Sequence, residues 1–195
     1  NDVSWYQPTP QISLDFITKS NLPLTARIID IGGGDSFLVD HLLDLGYQNV
    51  TVLDISESAI NKVKRRLGDR AQKVTLIVTD VTKFNPTCTY DFWHDRAAFH
   101  FLTEEEDISK YIETAFYCIE LSGTVVLGTF SNNGPKKCSG IDIKQYSESS
   151  LCHRLESYFD KINCVTVDHK TPKDTLQNFT FCSFKRAKKI DVTLI

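Results

Sequence analysis

The strongest constraint on the fold of this chain is a regular alternation between short apolar runs rich in Val and Ile and longer segments with helical periodicity. Runs of the first kind, typical of β-strands, occupy residues 27–31, 50–53, 74–78, 90–94 and 123–130. Amphipathic patterns typical of helices lie at 36–45, 56–67 and 104–120. Because strands that alternate with helices form parallel sheets with right-handed crossovers, the pattern predicts an α/β fold with helices on both faces of the sheet.

The last third of the chain departs from this alternation. A helix is predicted at 149–159, and strands at 162–168 and 179–186 follow it. The segment between these strands, 169–177, contains Pro172 and is too short for a crossover helix. The two strands should therefore pair as an antiparallel β-hairpin. The full prediction is a seven-stranded, mostly parallel sheet that ends in a C-terminal antiparallel hairpin.

The 195 residues form one predicted domain, because no repeat, low-complexity tract or linker divides them. Within this domain, 1–24 is interpreted as an N-terminal cap segment and 25–131 as the ligand-binding core. Residues 132–195 should supply a loop on the substrate side, a helix and the terminal hairpin.

A glycine turn follows the first predicted strand and opens the next helix. Gly32, Gly33 and Gly34 would let the backbone approach a ligand closely at the carboxyl edge of the sheet. A tight strand-to-helix turn without a ligand is the alternative explanation. A dinucleotide fingerprint needs a further glycine at position 37, which is Phe37 in this chain. The turn therefore favours a ligand without pyrophosphate and counts against an NAD-binding oxidoreductase.

Acidic residues end three neighbouring predicted strands around this turn. Asp54 follows Gly34 by twenty residues, where a carboxylate can accept hydrogen bonds from two ribose hydroxyls. Asp80 could accept a bond from the exocyclic amine of adenine, and Asp30 could orient the turn or favour a cation. A single acid at a strand end is usually a turn former or a helix cap. Three acids around one turn indicate a pocket for a nucleoside that carries a cationic group.

With these residues in place, the sequence resembles the class I S-adenosylmethionine-dependent methyltransferases over nearly its whole length. Residues 30–34 match the family's first motif, Asp54 its second and Asp80 its third. A narrower resemblance, to a subgroup of uncharacterised bacterial members, lies in the His-Asp-Arg motif at 94–96 and in the stretches 4–7, 138–140 and 169–179. The mitochondrial lysine methyltransferase that acts on citrate synthase is more distantly similar. Ser36 departs from the family pattern, since many relatives have a further glycine there.

The resemblance implies a Rossmann-like fold, S-adenosylmethionine as cofactor and methyl transfer by in-line displacement. The implied acceptor is a protein side chain, with lysine favoured, or a small molecule. The implied cofactor-binding residues are Asp30, Gly32, Gly33, Gly34, Asp54, Ile55, Asp80, Val81 and Tyr6. Two alternatives stay open: a non-catalytic module that binds S-adenosylmethionine, and, less favoured, the NAD-binding oxidoreductase.

The residues proposed for the chemistry are consecutive and lie just after the fourth predicted strand. Asp95 is expected to be a free carboxylate that orients an acceptor amine or takes its proton, with His94 as the competing base. Arg96 could hold a substrate carboxylate in a bidentate clamp. The structural alternative is an Asp95–Arg96 ion pair that fixes the loop, with His94 contacting cofactor through its backbone. Trp5 and Tyr6 could form a flap over the cofactor, or could simply pack the N-terminus against the sheet.

Composition narrows the classes of partner and compartment. Lys and Arg total 22 against 25 Asp and Glu, and the resulting net charge of −3 argues against nucleic-acid binding. No apolar run is long enough to predict a membrane span. Six cysteines without a C-x-x-C pair predict no metal site and no disulfide framework, but reduced, mostly buried thiols in a cytoplasmic protein. A removed organelle presequence stays open as an alternative, and the expected assembly is a monomer or weak dimer.

Overall fold

The computed structural model describes residues 4–187. The strands are β1 (Arg27–Ile31), β2 (Asn49–Asp54), β3 (Val74–Val78), β4 (Tyr90–Arg96), β5 (Ile119–Phe130), β6 (Lys137–Cys138), β7 (Ile141–Asp142), β8 (Phe159–Lys170) and β9 (Leu176–Arg186). The helices are α1 (Gln11–Lys19), α2 (Leu38–Asp44), α3 (Glu57–Leu67), α4 (Glu105–Cys118) and α5 (Glu148–Leu155). No helix in the described part is long and apolar enough to cross a membrane. The predicted segments 1–24 and 132–195 extend beyond the described residues at their outer ends.

Seven of the strands form one sheet in the order β3-β2-β1-β4-β5-β9-β8. The first five are parallel to one another, whereas β9 is antiparallel to both β5 and β8. The predicted mostly parallel, seven-stranded sheet with a terminal hairpin is therefore confirmed. The chain passes from β1 outward through β2 and β3, and then returns to the other side of β1 as β4. Ligands of open α/β sheets bind at this kind of switch point.

Helices cover both faces of the sheet, and successive side chains of β4 point into the two cores that result. Phe92 packs into the core on the side of α1, α2 and α3, with Leu38 and Val63. The next residue, Trp93, packs into the opposite core with Tyr111 of α4. The two rings meet edge to face at 6.0 Å, and Trp93 Nε1 donates to Tyr111 Oη at 2.9 Å. Such an aromatic pair contributes about 0.5–1.5 kcal/mol beyond the area that it buries.

Several features differ from the sequence prediction. The helix predicted over 149–159 ends at Leu155, and β8 already begins at Phe159. Strand β4 continues through Arg96, so the His-Asp-Arg motif lies within the strand and not after it. Helix α4 ends at Cys118 and leads directly into β5, whereas the prediction extended the helix to Glu120. The short pair β6–β7 was not predicted, since two-residue strands carry no periodicity.

One pair of cysteines corrects the prediction of reduced thiols. Cys164 and Cys182 lie opposite each other in the register of β8 and β9 and form a disulfide. Of the other four cysteines, Cys118 and Cys138 are buried. A cross-strand disulfide has no characteristic sequence spacing, because its partners are set by the register of the hairpin.

Candidate functional site

Two adjoining cavities open at the carboxyl edge of the parallel strands, beside β1. The first has a volume of about 450 Å³ and is lined by residues that follow β2, β3 and β4. The second has a volume of about 550 Å³ and reaches from the glycine turn to Arg96 and Cys138. Gly32, Asp54 and Ala97 line both cavities. The two volumes therefore meet at the switch point of the sheet.

The glycine turn leaves no room for side chains. Gly32 has φ +66°, and a Cβ there would lie 2.7 Å from the Cβ of Ala98. A Cβ on Gly33 would lie 2.3 Å from Oδ2 of Asp30. Both positions require glycine, Gly32 for its backbone conformation as well as for space. The turn thus exposes backbone at the cavity wall.

Asp54 is held in place where the two cavities meet. Its Oδ2 accepts from the backbone N–H of Gly34 at 3.0 Å, and its Oδ1 accepts from that of Ser56 at 2.8 Å. Burial raises the pKa of Asp54, and these two bonds act in the opposite direction. Each carboxylate oxygen has a second lone pair, so the group can still accept bonds from a ligand.

Asp80 occupies the equivalent position after β3. Its Oδ1 accepts from the backbone N–H and the hydroxyl of Thr82, at 2.9 and 2.8 Å. Burial alone would raise the pKa of Asp80, but the Thr82 bonds and the charge of Lys83 lower it. Ile55 and Val81 line the same cavity. The predicted residues that follow β2 and β3 are therefore brought together around the first cavity.

Asp30 and His94 form a buried chain of hydrogen bonds. Nδ1 of His94 lies 2.7 Å from Oδ1 of Asp30, and its Nε2 lies 2.8 Å from Oγ of Ser13. All three residues are buried. Both ring nitrogens are engaged, so the predicted role of His94 as a competing base lacks a free nitrogen. Oδ2 of Asp30 is buried without a hydrogen-bond partner in the described part of the chain.

The prediction that Asp95 is a free carboxylate is wrong. The side chain is fully buried and accepts bonds from the backbone N–H groups of Ala98 and Phe99, at 2.9 and 3.0 Å, and from the hydroxyl of Tyr111 at 2.7 Å. Burial raises the pKa of Asp95 to about 6, against the effect of these bonds. The residue fixes the turn after β4, where Ala97 has φ +67°. It faces α4, so its geometry gives no support to contact with an acceptor.

Arg96 lines the second cavity. One of its guanidinium nitrogens donates to the backbone oxygen of Trp5 at 3.0 Å, and the guanidinium lies 5.4 Å from the ring centre of Phe179. Burial lowers the pKa of Arg96 to about 10. Among residues 4–187 it forms no salt bridge, so the alternative of an Asp95–Arg96 ion pair is also wrong. A cation without a carboxylate partner thus faces the cavity.

An N-terminal strap, residues 4–8, lies across this end of the site. His169 donates from Nε2 to the backbone oxygen of Ser4 at 2.9 Å, and its Nδ1 accepts from the amide of Gln7 at 3.0 Å. Trp5 lines the second cavity. Tyr6, predicted as a cofactor contact, instead packs edge-on against a neighbouring aromatic ring at 5.7 Å and lines neither cavity.

Several residues of the site were not predicted as site residues. Ser13, whose Oγ lies 2.8 Å from Nε2 of His94, is in α1, within the segment that was interpreted only as an N-terminal cap. His169 was noted only as part of a resemblance. Cys138 and Ile141 reach the second cavity through the β6–β7 turn. The sequence signals for that turn were the Gly and Pro content of 134–140 and the resemblance over 138–140.

Known proteins that are similar to this chain include several methyltransferases. A family model described as a methyltransferase domain matches residues 28–123. The eEF1A lysine and N-terminal methyltransferase of Mus musculus is 33% identical over 85 residues, which are 43% of this chain and 12% of the mouse protein. The malonyl-[acyl-carrier protein] O-methyltransferase 2 of Ilyobacter polytropus is 24% identical over 108 residues, 55% of this chain and 40% of that protein. The chain thus spans less than half the length of these relatives.

A solved structure shares the fold. The 1,6-didemethyltoxoflavin-N1-methyltransferase of Burkholderia thailandensis, with S-adenosylhomocysteine and 1,6-didemethyltoxoflavin bound, superposes with a TM-score of 0.72. The superposition covers 91% of this chain and 77% of that chain at 17% identity.

Proposed function

We propose that the chain is a class I S-adenosylmethionine-dependent methyltransferase, a proposal supported by the methyltransferase-domain model that matches residues 28–123. It binds S-adenosylmethionine in the two adjoining cavities and methylates an acceptor beside Arg96. The observation that carries the proposal is Asp54. Its carboxylate is fixed by Gly34 and Ser56 at the point where the cavities meet, and it keeps free lone pairs toward them.

The residues present fit this cofactor. Asp54 would accept bonds from the ribose hydroxyls, and Asp80 would accept from the adenine amine between the apolar walls formed by Ile55 and Val81. Oδ2 of Asp30, which has no hydrogen-bond partner among residues 4–187, gives the second cavity a buried negative atom that suits a cationic ligand. When bound, S-adenosylmethionine supplies an activated methyl group on a sulfonium, so the chain itself needs mainly to align the acceptor and exclude water.

Replacing Asp54 tests cofactor binding. Asp54→Ala should weaken the binding of S-adenosylhomocysteine by about 10- to 100-fold, since hydrogen bonds to a charged group contribute about 1.5–3 kcal/mol. Isothermal titration calorimetry measures the change. Asp44→Ala, at an exposed surface ion pair, is the matched control. Unchanged affinity in a folded Asp54→Ala variant would contradict the proposal, and tighter binding of NAD than of S-adenosylhomocysteine would favour the oxidoreductase.

A protein lysine is the first proposed acceptor. It is supported by the family resemblance and by the name of the mouse relative. A lysine amine must lose its proton before it can attack the methyl group, and neither Asp95 nor His94 is free to take that proton. The positive charge of Arg96, in a partly buried cavity, would lower the pKa of an adjacent amine and favour its neutral, nucleophilic form.

A carboxylate is the second proposed acceptor, and Arg96 favours it directly. The guanidinium has only one hydrogen bond in the described part of the chain, so further N–H groups remain for a bidentate contact with a carboxylate. The name of the Ilyobacter relative, an O-methyltransferase, agrees with this chemistry.

Transfer of a tritiated methyl group to lysate proteins and small molecules distinguishes the two acceptors. Mild alkali releases volatile methanol from a methyl ester but leaves methyl-lysine intact. Arg96→Gln gives a second readout: with a lysine acceptor the rate profile should shift to higher pH, whereas with a carboxylate acceptor KM should rise about tenfold or more. If the wild-type chain binds cofactor but methylates nothing, the non-catalytic module is favoured.

A further inference from the structure

Three cysteine sulfurs converge between α5 and the terminal hairpin, outside the site described above. Cys152 lies on α5, Cys164 on β8 and Cys182 on β9, and all three sulfurs lie within 4.8 Å of one another. We propose that these cysteines, once the Cys164–Cys182 disulfide is reduced, bind one thiophilic metal ion, Cu⁺ or Zn²⁺. This proposal does not depend on the proposed methyltransferase activity.

The sulfur positions are close to those that a single ion requires. Thiolates bound at about 2.3 Å to a common ion lie about 3.8–4.0 Å apart. Sγ of Cys152 is already 4.0 Å from Sγ of Cys164. Cys164 and Cys182 are direct cross-strand partners with Cα atoms 4.1 Å apart. Their sulfurs can therefore separate to the required distance by side-chain rotation, without parting the strands.

The donor set selects for a soft ion. The cluster consists of sulfur atoms, and no His, Asp or Glu belongs to it within the described residues. Thiolates bind Cu⁺ and Zn²⁺ well, whereas Mg²⁺ and Ca²⁺ require oxygen ligands. Cys182 is fully buried, and the other two cysteines pack against the same hydrophobic core. The buried position of Cys182 strengthens the attraction between its thiolate and a cation.

Metal binding must be coupled to reduction and to proton release. A phosphine or dithiol reductant supplies two electrons to the disulfide, and two protons convert its sulfurs into thiols. Binding of the ion then displaces three protons, one from each thiol. The affinity for the ion should therefore increase with pH.

The test compares reduced and oxidised wild-type chain without oxygen. After reduction with a phosphine and removal of excess reagent, the chain is incubated with Zn²⁺ or with Cu⁺, desalted and analysed by mass spectrometry for bound metal. We expect one ion per reduced chain and none per oxidised chain. A reduced chain that retains no Zn²⁺ and no Cu⁺ overturns the proposal.

Variants identify the ligands. Cys152→Ser should weaken metal binding by about tenfold or more, and Cys88→Ser, which removes an exposed cysteine, should leave it unchanged. Equal metal content in Cys152→Ser and wild type overturns the assignment. If Cys152→Ser does not fold, alkylation of the reduced wild type tests the same assignment, because a bound ion should protect Cys152 from alkylation. The sulfur of Cys152 could also attack Cys164 and release Cys182, which gives a Cys152–Cys164 disulfide. Observing this exchange in a chain that retains no ion would also overturn the proposal.

Discussion

At the scale of the residue, the His-Asp-Arg motif shows how one strand divides three side chains between two environments. Because successive residues of a strand point to opposite faces, His94 and Arg96 lie on the side of α1 and the N-terminal strap, and Asp95 points to α4. Asp95 thus becomes a positioning residue for the turn at Ala97. Arg96 is left as the one member of the motif that faces the second cavity with donors to spare.

The burial of Asp95 predicts a pH-dependent stability. Its folded pKa of about 6 is above the ordinary value of 3.8, so between these pH values the folded chain holds a proton that the unfolded chain has lost. The free energy of unfolding therefore falls as pH rises through this range. Between pH 4.5 and 7.5 the wild type should lose about 2 kcal/mol relative to Asp95→Asn, which does not titrate.

Urea unfolding of both proteins at the two pH values measures this difference. Asp91→Asn, on the same strand, controls for the removal of a carboxylate. If the wild type instead gained stability relative to Asp95→Asn with rising pH, the hydrogen bonds to Asp95 would outweigh its burial.

At the scale of the element, the N-terminal strap depends on side chains from two distant parts of the sequence. His169 of β8 binds Ser4 and Gln7, and Arg96 of β4 binds the backbone of Trp5. A segment without regular secondary structure is thereby fixed over the second cavity. The strap supplies one wall of the cavity through Trp5, so its position should affect ligand binding.

Removing the His169 ring tests this arrangement. His169→Ala loses two hydrogen bonds, each contributing about 0.5–1.5 kcal/mol, so the strap should open and the affinity for S-adenosylhomocysteine should fall by up to about tenfold. Chymotrypsin should cleave after Trp5 or Tyr6 faster than in wild type. His153→Ala, with an exposed side chain on α5, is the control. Identical cleavage and affinity in wild type and His169→Ala would show that the strap is held by other contacts.

At the scale of the whole molecule, two buried ionisable groups have opposite effects on how the stability of the fold changes with pH. His100 is fully buried between Phe101 and Phe130, and burial, together with the charge of Arg96, lowers its pKa to about 3. Below pH 6.5 the unfolded chain binds a proton at this residue that the folded chain does not. This group therefore makes stability fall with acidification, whereas Asp95 makes it rise over an overlapping range. The combined profile should be flatter than either contribution alone.

His100→Leu should separate the two contributions. Between pH 6.5 and 4 the wild type should lose about 2–3 kcal/mol of stability more than His100→Leu does. Guanidinium unfolding at several pH values measures both slopes, and circular dichroism checks that the variant keeps the native fold. Parallel slopes would contradict this and mean that His100 has the same pKa in the folded and the unfolded chain.

The sequence by itself determined the fold class and the place of the glycine turn and the acids at the carboxyl edge of the sheet. Apolar runs alternating with amphipathic segments are local properties, and they predicted the five parallel strands and the terminal hairpin that the structure contains. The glycine turn and the acids at 54 and 80 follow strand ends that the pattern located well. Their convergence followed from the topology alone, since parallel strands end at one edge of a sheet.

Only the tertiary structure decided the roles within the His-Asp-Arg motif and the pairing of the cysteines. Strand β4 extends to Arg96 because that residue pairs with Gly128 of β5, and local propensity does not specify where such pairing stops. Once the strand includes the motif, side-chain alternation buries Asp95 and leaves Arg96 at the cavity. The disulfide likewise depends on the register that places Cys164 opposite Cys182. Register and strand ends are set by contacts between segments that are distant in the sequence. They are therefore known only once the complete fold is known.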